Sequence, residues 1–159
     1  MKTRLAPVVL AAWLLGGCAS GVPSCADGDV GRRVDELSAK EITRQLFVGL
    51  LAQKAGAYPA SVLGRIPVDT WKSNPPTAQA LGVANFSYDV NDVLAILAEA
   101  EKQGREAAPT LRSTRTIENG EHTVRCGGDL VFPNGRRLPI TYSAARTDGD
   151  GLHVEVQGL

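Results

Sequence analysis

Apolar residues recur every three or four positions from Asp29 onward, at Val30, Val34, Leu37, Ile42, Leu46 and Leu50. Phe47, Val48 and Leu51 widen that stripe. The pattern predicts a long helix over about residues 29–56 with one side deeply buried. Asp27 or Asp29 suits its N-cap, and Gly56 suits its stop. Val90, Val93, Leu94, Ile96, Leu97 and Ala100 repeat the spacing and predict a second amphipathic helix, capped near Asp89 and ended by Gly104 and Pro109. Residues 57–88 between them hold no sustained period and are punctuated by Pro59, Gly64, Pro67, Pro75, Pro76 and Gly82. A structureless loop of that length is unusual in a compact domain, so short turns of helix are expected there.

After Pro109 the period changes to two. Leu111–Ile117, Thr123–Phe132, Leu138–Arg146 and Leu152–Gln157 read as strands. Their junctions are Asn119-Gly120, Pro133-Asn134-Gly135 and Asp148-Gly149-Asp150-Gly151, residue types that supply hairpin turns. Val124, Cys126, Leu130 and Phe132 share one face of the second strand, and Leu152, Val154 and Val156 share one face of the last. The expected fold class is α+β: a long N-terminal helix and a second helix packed on a four-stranded antiparallel meander sheet. Helices that precede a curled antiparallel sheet resemble the cystatin-like or NTF2-like arrangement, a likeness of topology alone.

The first eighteen residues carry a different message. Met1-Lys2-Thr3-Arg4 is a short basic start, followed by the apolar run Leu5–Leu15, broken by Pro7. That run falls short of the ~20 apolar residues a spanning helix needs and has the shape of a secretory signal. It ends in Leu15-Gly16-Gly17-Cys18, which resembles the lipobox of bacterial lipoproteins. The resemblance implies that Cys18 is lipidated and becomes the new amino terminus. With Ala19 rather than Asp next, it also implies sorting to the outer membrane of a Gram-negative envelope. Three segments follow: 1–17 a signal peptide, 18–28 a lipidated N-terminus and short tether, and 29–159 a single domain.

Charge and cysteine usage narrow the rest. Seventeen basic residues balance seventeen acidic ones, which argues against a nucleic-acid partner. Loss of Lys2 and Arg4 with the signal leaves the domain slightly acidic. Cys25 and Cys126 then remain, and in an oxidising compartment an even pair reads as a disulfide, the other arrangement being two separate buried thiols. Neither cysteine has a neighbouring Cys or His at metal-ligand spacing, so no metal or other cofactor is expected.

Catalytic chemistry finds little support. His122 lies beside a hairpin turn, and His153 should face away from Leu152 and Val154. Asp148 and Asp150 resemble the opening of a calcium loop but lack its later ligands and read as a turn. Glu99, Glu101, Lys102, Arg105 and Glu106 read as a solvated helix face. Arg112, Arg115, Arg125, Arg136 and Arg137 could form a basic area on the sheet, but with a near-neutral total they read as parts of a salt-bridged surface. The expected function is therefore non-enzymatic: a membrane-anchored lipoprotein whose small domain binds or assembles with another envelope protein. An immunity or inhibitor role against a cell-wall hydrolase, or carriage of an apolar ligand, are the other readings. Within 57–88, Tyr58, Trp71, Phe86 and Tyr88 stand among prolines. Aromatics on a stiff segment make economical anchors, and Trp71 and Tyr58 are the expected partner-binding residues, while Phe86 and Tyr88 lean towards the core. Trp71, followed by the polar Lys72-Ser73-Asn74, reads as exposed or half-exposed.

Overall fold

The computed structural model of the chain describes residues 21–77, 88–147 and 151–159. Cys18, Phe86, Asp148 and Asp150 lie outside them. Helix α1 spans Gly28–Ala55, and its 28 residues make a rod about 42 Å long. Two short helices follow, α2 (Ala57–Leu63) and α3 (Val68–Ser73), then α4 (Val90–Glu106). Strands β1 (Thr110–Asn119), β2 (Thr123–Val131), β3 (Arg137–Thr147) and β4 (Gly151–Gln157) close the chain. They pair antiparallel in the order β1-β2-β3-β4, so the fold is the expected α+β meander.

Helix ends follow local chemistry with two departures from expectation. Gly56 stops α1 at φ 93°, a conformation that glycine adopts without a Cβ penalty. Asp89 caps α4 by accepting the Asn91 N–H at 2.7 Å. Asp27 occupies the N-cap position of α1, but its carboxylate accepts from Ser24 N–H at 2.8 Å instead, bracing the entry turn and not the helix. Gly104 does not end α4, which continues to Glu106. It lies buried inside the helix, where a Cβ would stand 2.2 Å from Thr43 Oγ1 of α1. Glycine is there to let the two helices approach.

Two apolar clusters lie end to end along α1. Val30 and Val34, in its first half, pack with Leu111, Val124, Cys126, Leu130, Ile140, Tyr142, Ala144 and Val154 of the sheet. Phe47 and Leu51, in its second half, pack with Ala60 and Leu63 of α2, Trp71 of α3, and Val93, Ile96, Leu97 and Ala100 of α4. The sheet covers one end of the rod and the helices cover the other.

The sheet end is also fastened by polar and covalent links. Cys25 and Cys126 form a disulfide across 101 positions of sequence, tying the entry of α1 to β2. The buried Tyr142 hydroxyl donates to the Cys25 carbonyl at 3.2 Å, and burial holds its pKa above the ordinary phenol value. Asp35 Oδ1 accepts the Leu111 N–H at 2.7 Å, joining α1 to the first residues of β1. Between Arg112 and Arg115 the β1–β2 register slips, with Ser113 at φ 54°. That bulge turns the edge strand, and every β1 residue after Leu111 is exposed.

Candidate docking groove

Of the two expected partner-binding aromatics of the 57–88 segment, the structure leaves one at the surface and buries the other. Tyr58 is exposed, at 56% of its surface. Trp71 is fully buried. Its ring meets Phe47 edge-on at 6.3 Å and Tyr88 at 6.0 Å, and Nε1 donates to the Leu63 carbonyl at 3.4 Å. An exposed Trp71 is thus corrected to a core residue. The physical reason is that α1 runs on beyond the sheet, so its second half needs α2, α3 and Tyr88 beside α4 as cover. Tyr88 is half-buried, its hydroxyl donates to the Pro76 carbonyl, and burial raises its pKa.

The ionisable expectations divide similarly. His153 is exposed opposite Val154, with Nε2 3.2 Å from Glu155 Oε1. His122 is exposed beside Glu121. On α4, Glu101 departs from a freely solvated face by pairing with Lys72 of α3. The five arginines do not form the expected salt-bridged surface. Among the described residues, none of Arg112, Arg115, Arg125, Arg136 and Arg137 makes an ion pair. In cross-strand register Arg112 faces Asp129 and Arg125 faces Glu118, yet no such pair closes to bonding distance.

Two of those arginines border an open concavity, one of several on the described surface. It measures about 480 Å³, within the range of ligand and peptide sites, and lies between α1, the β2–β3 hairpin and the final residue. Its apolar side chains are Ile42, Leu46 and Leu50 of α1 with Phe132, Leu138 and Leu159. All six are half-buried, neither sealed in the core nor freely solvated. Arg136 and Arg137 stand on the hairpin side, and Gln45, Gly49 and Gln53 stand on the helix side. At one end Glu41 is held below the usual carboxylate range, first by its hydrogen bonds from Arg44, at 2.8 and 2.6 Å.

Local sequence places each wall. The hairpin is built by Asn134, whose side chain accepts the Arg136 N–H at 3.0 Å, and by Gly135 at φ 81°. That tight turn presents Arg136 and Arg137 immediately after it. On α1, positions 42, 46, 49, 50 and 53 lie on one face by helical spacing. Ile42, Leu46 and Leu50 belong to the stripe visible in the sequence, but a stripe does not say which neighbour covers it. The arrangement offers an apolar floor with a basic edge. It suits an amphipathic ligand surface with acidic groups.

Compared with known proteins, the chain matches no family model, no curated protein and no solved structure. The topological resemblance to cystatin-like and NTF2-like folds therefore has no solved counterpart behind it, and the functional argument rests on the chain itself.

Proposed function

We propose that the chain is a lipoprotein of the bacterial outer membrane, anchored through Cys18, whose domain is a docking module for another envelope protein. The observation that supports the export this requires is the Cys25–Cys126 disulfide. Such a bond belongs to an oxidising compartment, which the lipobox-like Leu15-Gly16-Gly17-Cys18 would deliver the chain to. It also shortens the leash. Six residues, Ala19–Ser24, separate the lipidated position from a residue bonded into the core, and they reach at most about 20 Å. The domain is then held beside the headgroups, where its partners would be membrane-bound or membrane-proximal.

The amphipathic groove favours docking over carriage of an apolar ligand. It lies open along α1, whereas a carrier gains by enclosing most of its cargo's surface. Metabolic labelling with a fatty acid is the direct test of the anchor. The wild type takes the label into the envelope fraction and Cys18→Ala does not; equal labelling of both overturns the proposal. A long Gly/Ser linker inserted after Ser20 should impair function if the partner is membrane-embedded, and unchanged function places the partner elsewhere.

A further inference from the structure

We infer that the groove receives an amphipathic helix of the partner, its apolar stripe on Ile42, Leu46 and Leu50 and its acidic side chains on Arg136 and Arg137. This rests on the docking role proposed above and names the chemistry of the partner.

Gly49 is the first argument. It lies in the interior of a long helix, where glycine disfavours the helix by roughly 1 kcal/mol relative to alanine. A Cβ added there would meet nothing within 4 Å, so nothing among the described residues requires the glycine. Gly104 shows what such a residue does elsewhere in the same molecule: it admits Thr43 of the crossing helix. At Gly49 the corresponding space is open and faces the groove, which leaves room for a comparable approach from outside. A helix seated over it can approach at the short end of the usual ~8–10 Å axial separation.

Spacing is the second argument. Ile42, Leu46, Gly49, Leu50 and Gln53 form a ridge about 17 Å long, the length of three helical turns. A ridge of that length can face three turns of a docked helix, whose own apolar anchors would recur at i, i+3 or i+4, and i+7.

Charge is the third. Arg136 and Arg137 have no ion-pair partner among the described residues, and Glu41 is already engaged by Arg44. The groove therefore presents two free cations, and an acidic helix complements them.

A photo-crosslinking residue placed at Gln45 or Gln53, in the full-length lipidated chain and intact native cells, tests the inference, with Thr114 on β1 as the control site. The expected result is a protein adduct from both groove sites and none from the control. Its crosslinked peptide should carry apolar residues at three- and four-residue spacing together with Asp or Glu. Arg136→Glu with Arg137→Glu should cut the adduct about tenfold, and Lys at the acidic positions of that peptide should restore it. Gly49→Leu should abolish the adduct while Tm stays level or rises. No adduct, adducts only to lipid, to a second copy or to residues 1–20, or an adduct indifferent to these substitutions would each overturn it. Fatty-acid labelling of the same cells separates the two proposals. Crosslinking without label removes the anchor and keeps the groove, and label without crosslinking does the reverse.

Discussion

The two ends of α1 are stabilised by different means. At the sheet end, Val30 and Val34 meet small and branched side chains, and a disulfide, a buried tyrosine and Asp35 add fixed links. At the helical end, Phe47 and Leu51 meet a cluster centred on one large ring, Trp71, with no covalent link across it. A sheet spreads its cohesion over many hydrogen bonds, so it tolerates small side chains. Short helices lack that ladder. α2 and α3 have only seven and six residues, well below the length at which an isolated helix holds, and they persist because Ala60, Leu63 and Trp71 are buried.

Removing the fastenings one end at a time separates the two. Cys25→Ser with Cys126→Ser should produce the largest loss, about 4.7 kcal/mol by the chain-entropy account of a 101-residue loop. Urea unfolding measures it, and two transitions instead of one would show that the ends fold independently. Trp71→Ala should cost about 3–5 kcal/mol and release α2 and α3 first, as amide exchange would record. Tyr58→Ala, on the exposed side of the same segment, should change stability by less than about 0.5 kcal/mol. If Trp71→Ala proves as mild as Tyr58→Ala, the helical end does not depend on its central ring.

That contrast also explains what sequence could and could not reveal. The sheet end was legible: alternation marked four strands, turn residues marked the β1–β2 and β2–β3 hairpins, and Cys25 and Cys126 stood out as an even pair. Periodicity likewise located α1 and α4, while short helices within 57–88 were expected only because a structureless loop of that length is unusual in a compact domain. Trp71 was misread because Lys72-Ser73-Asn74 beside it is polar, while its burial follows from how far α1 overshoots the sheet, a tertiary fact. The groove was half legible. Its α1 residues lie in the stripe, but that they stay only half-covered depends on where the hairpin and Leu159 come to rest.

Two glycines on crossing helices sharpen the comparison at the joint between the ends. Gly104→Ala places a Cβ 3.4 Å from Thr43 Cα and only 2.2 Å from its Oγ1, which already donates to the Ala39 carbonyl. The helices must separate, and a loss of about 1–3 kcal/mol is expected. Gly49→Ala, in open space, should instead gain up to about 1 kcal/mol from helix propensity. Thermal denaturation of the two variants should therefore give shifts of opposite sign. Ser38 lies at the same joint, fully buried, with an Oγ that has no hydrogen-bond partner among the described residues. Ser38→Ala removes that unsatisfied group and should stabilise by about 1 kcal/mol. A loss instead would mean that the hydroxyl is satisfied in solution.

The smallest effect belongs to the ion pair on the exposed side of this joint. Glu41 is held below its ordinary pKa, chiefly by the hydrogen bonds from Arg44, with burial opposing and Gln45 assisting. Its folded value therefore lies beneath its unfolded one. The pair contributes stability that is complete above the unfolded carboxylate pKa of about 4.3 and is lost as pH falls through the folded value. Because the Arg44 side chain is 48% exposed, water screens the interaction and only about 0.3–0.5 kcal/mol is expected. Urea midpoints of the wild type and Arg44→Ala should differ by that amount at pH 7 and converge near pH 2.5. A gap that persists in acid would mean that Arg44 acts through the packing of its methylene stem against α1, and that charge adds nothing where the two cores meet.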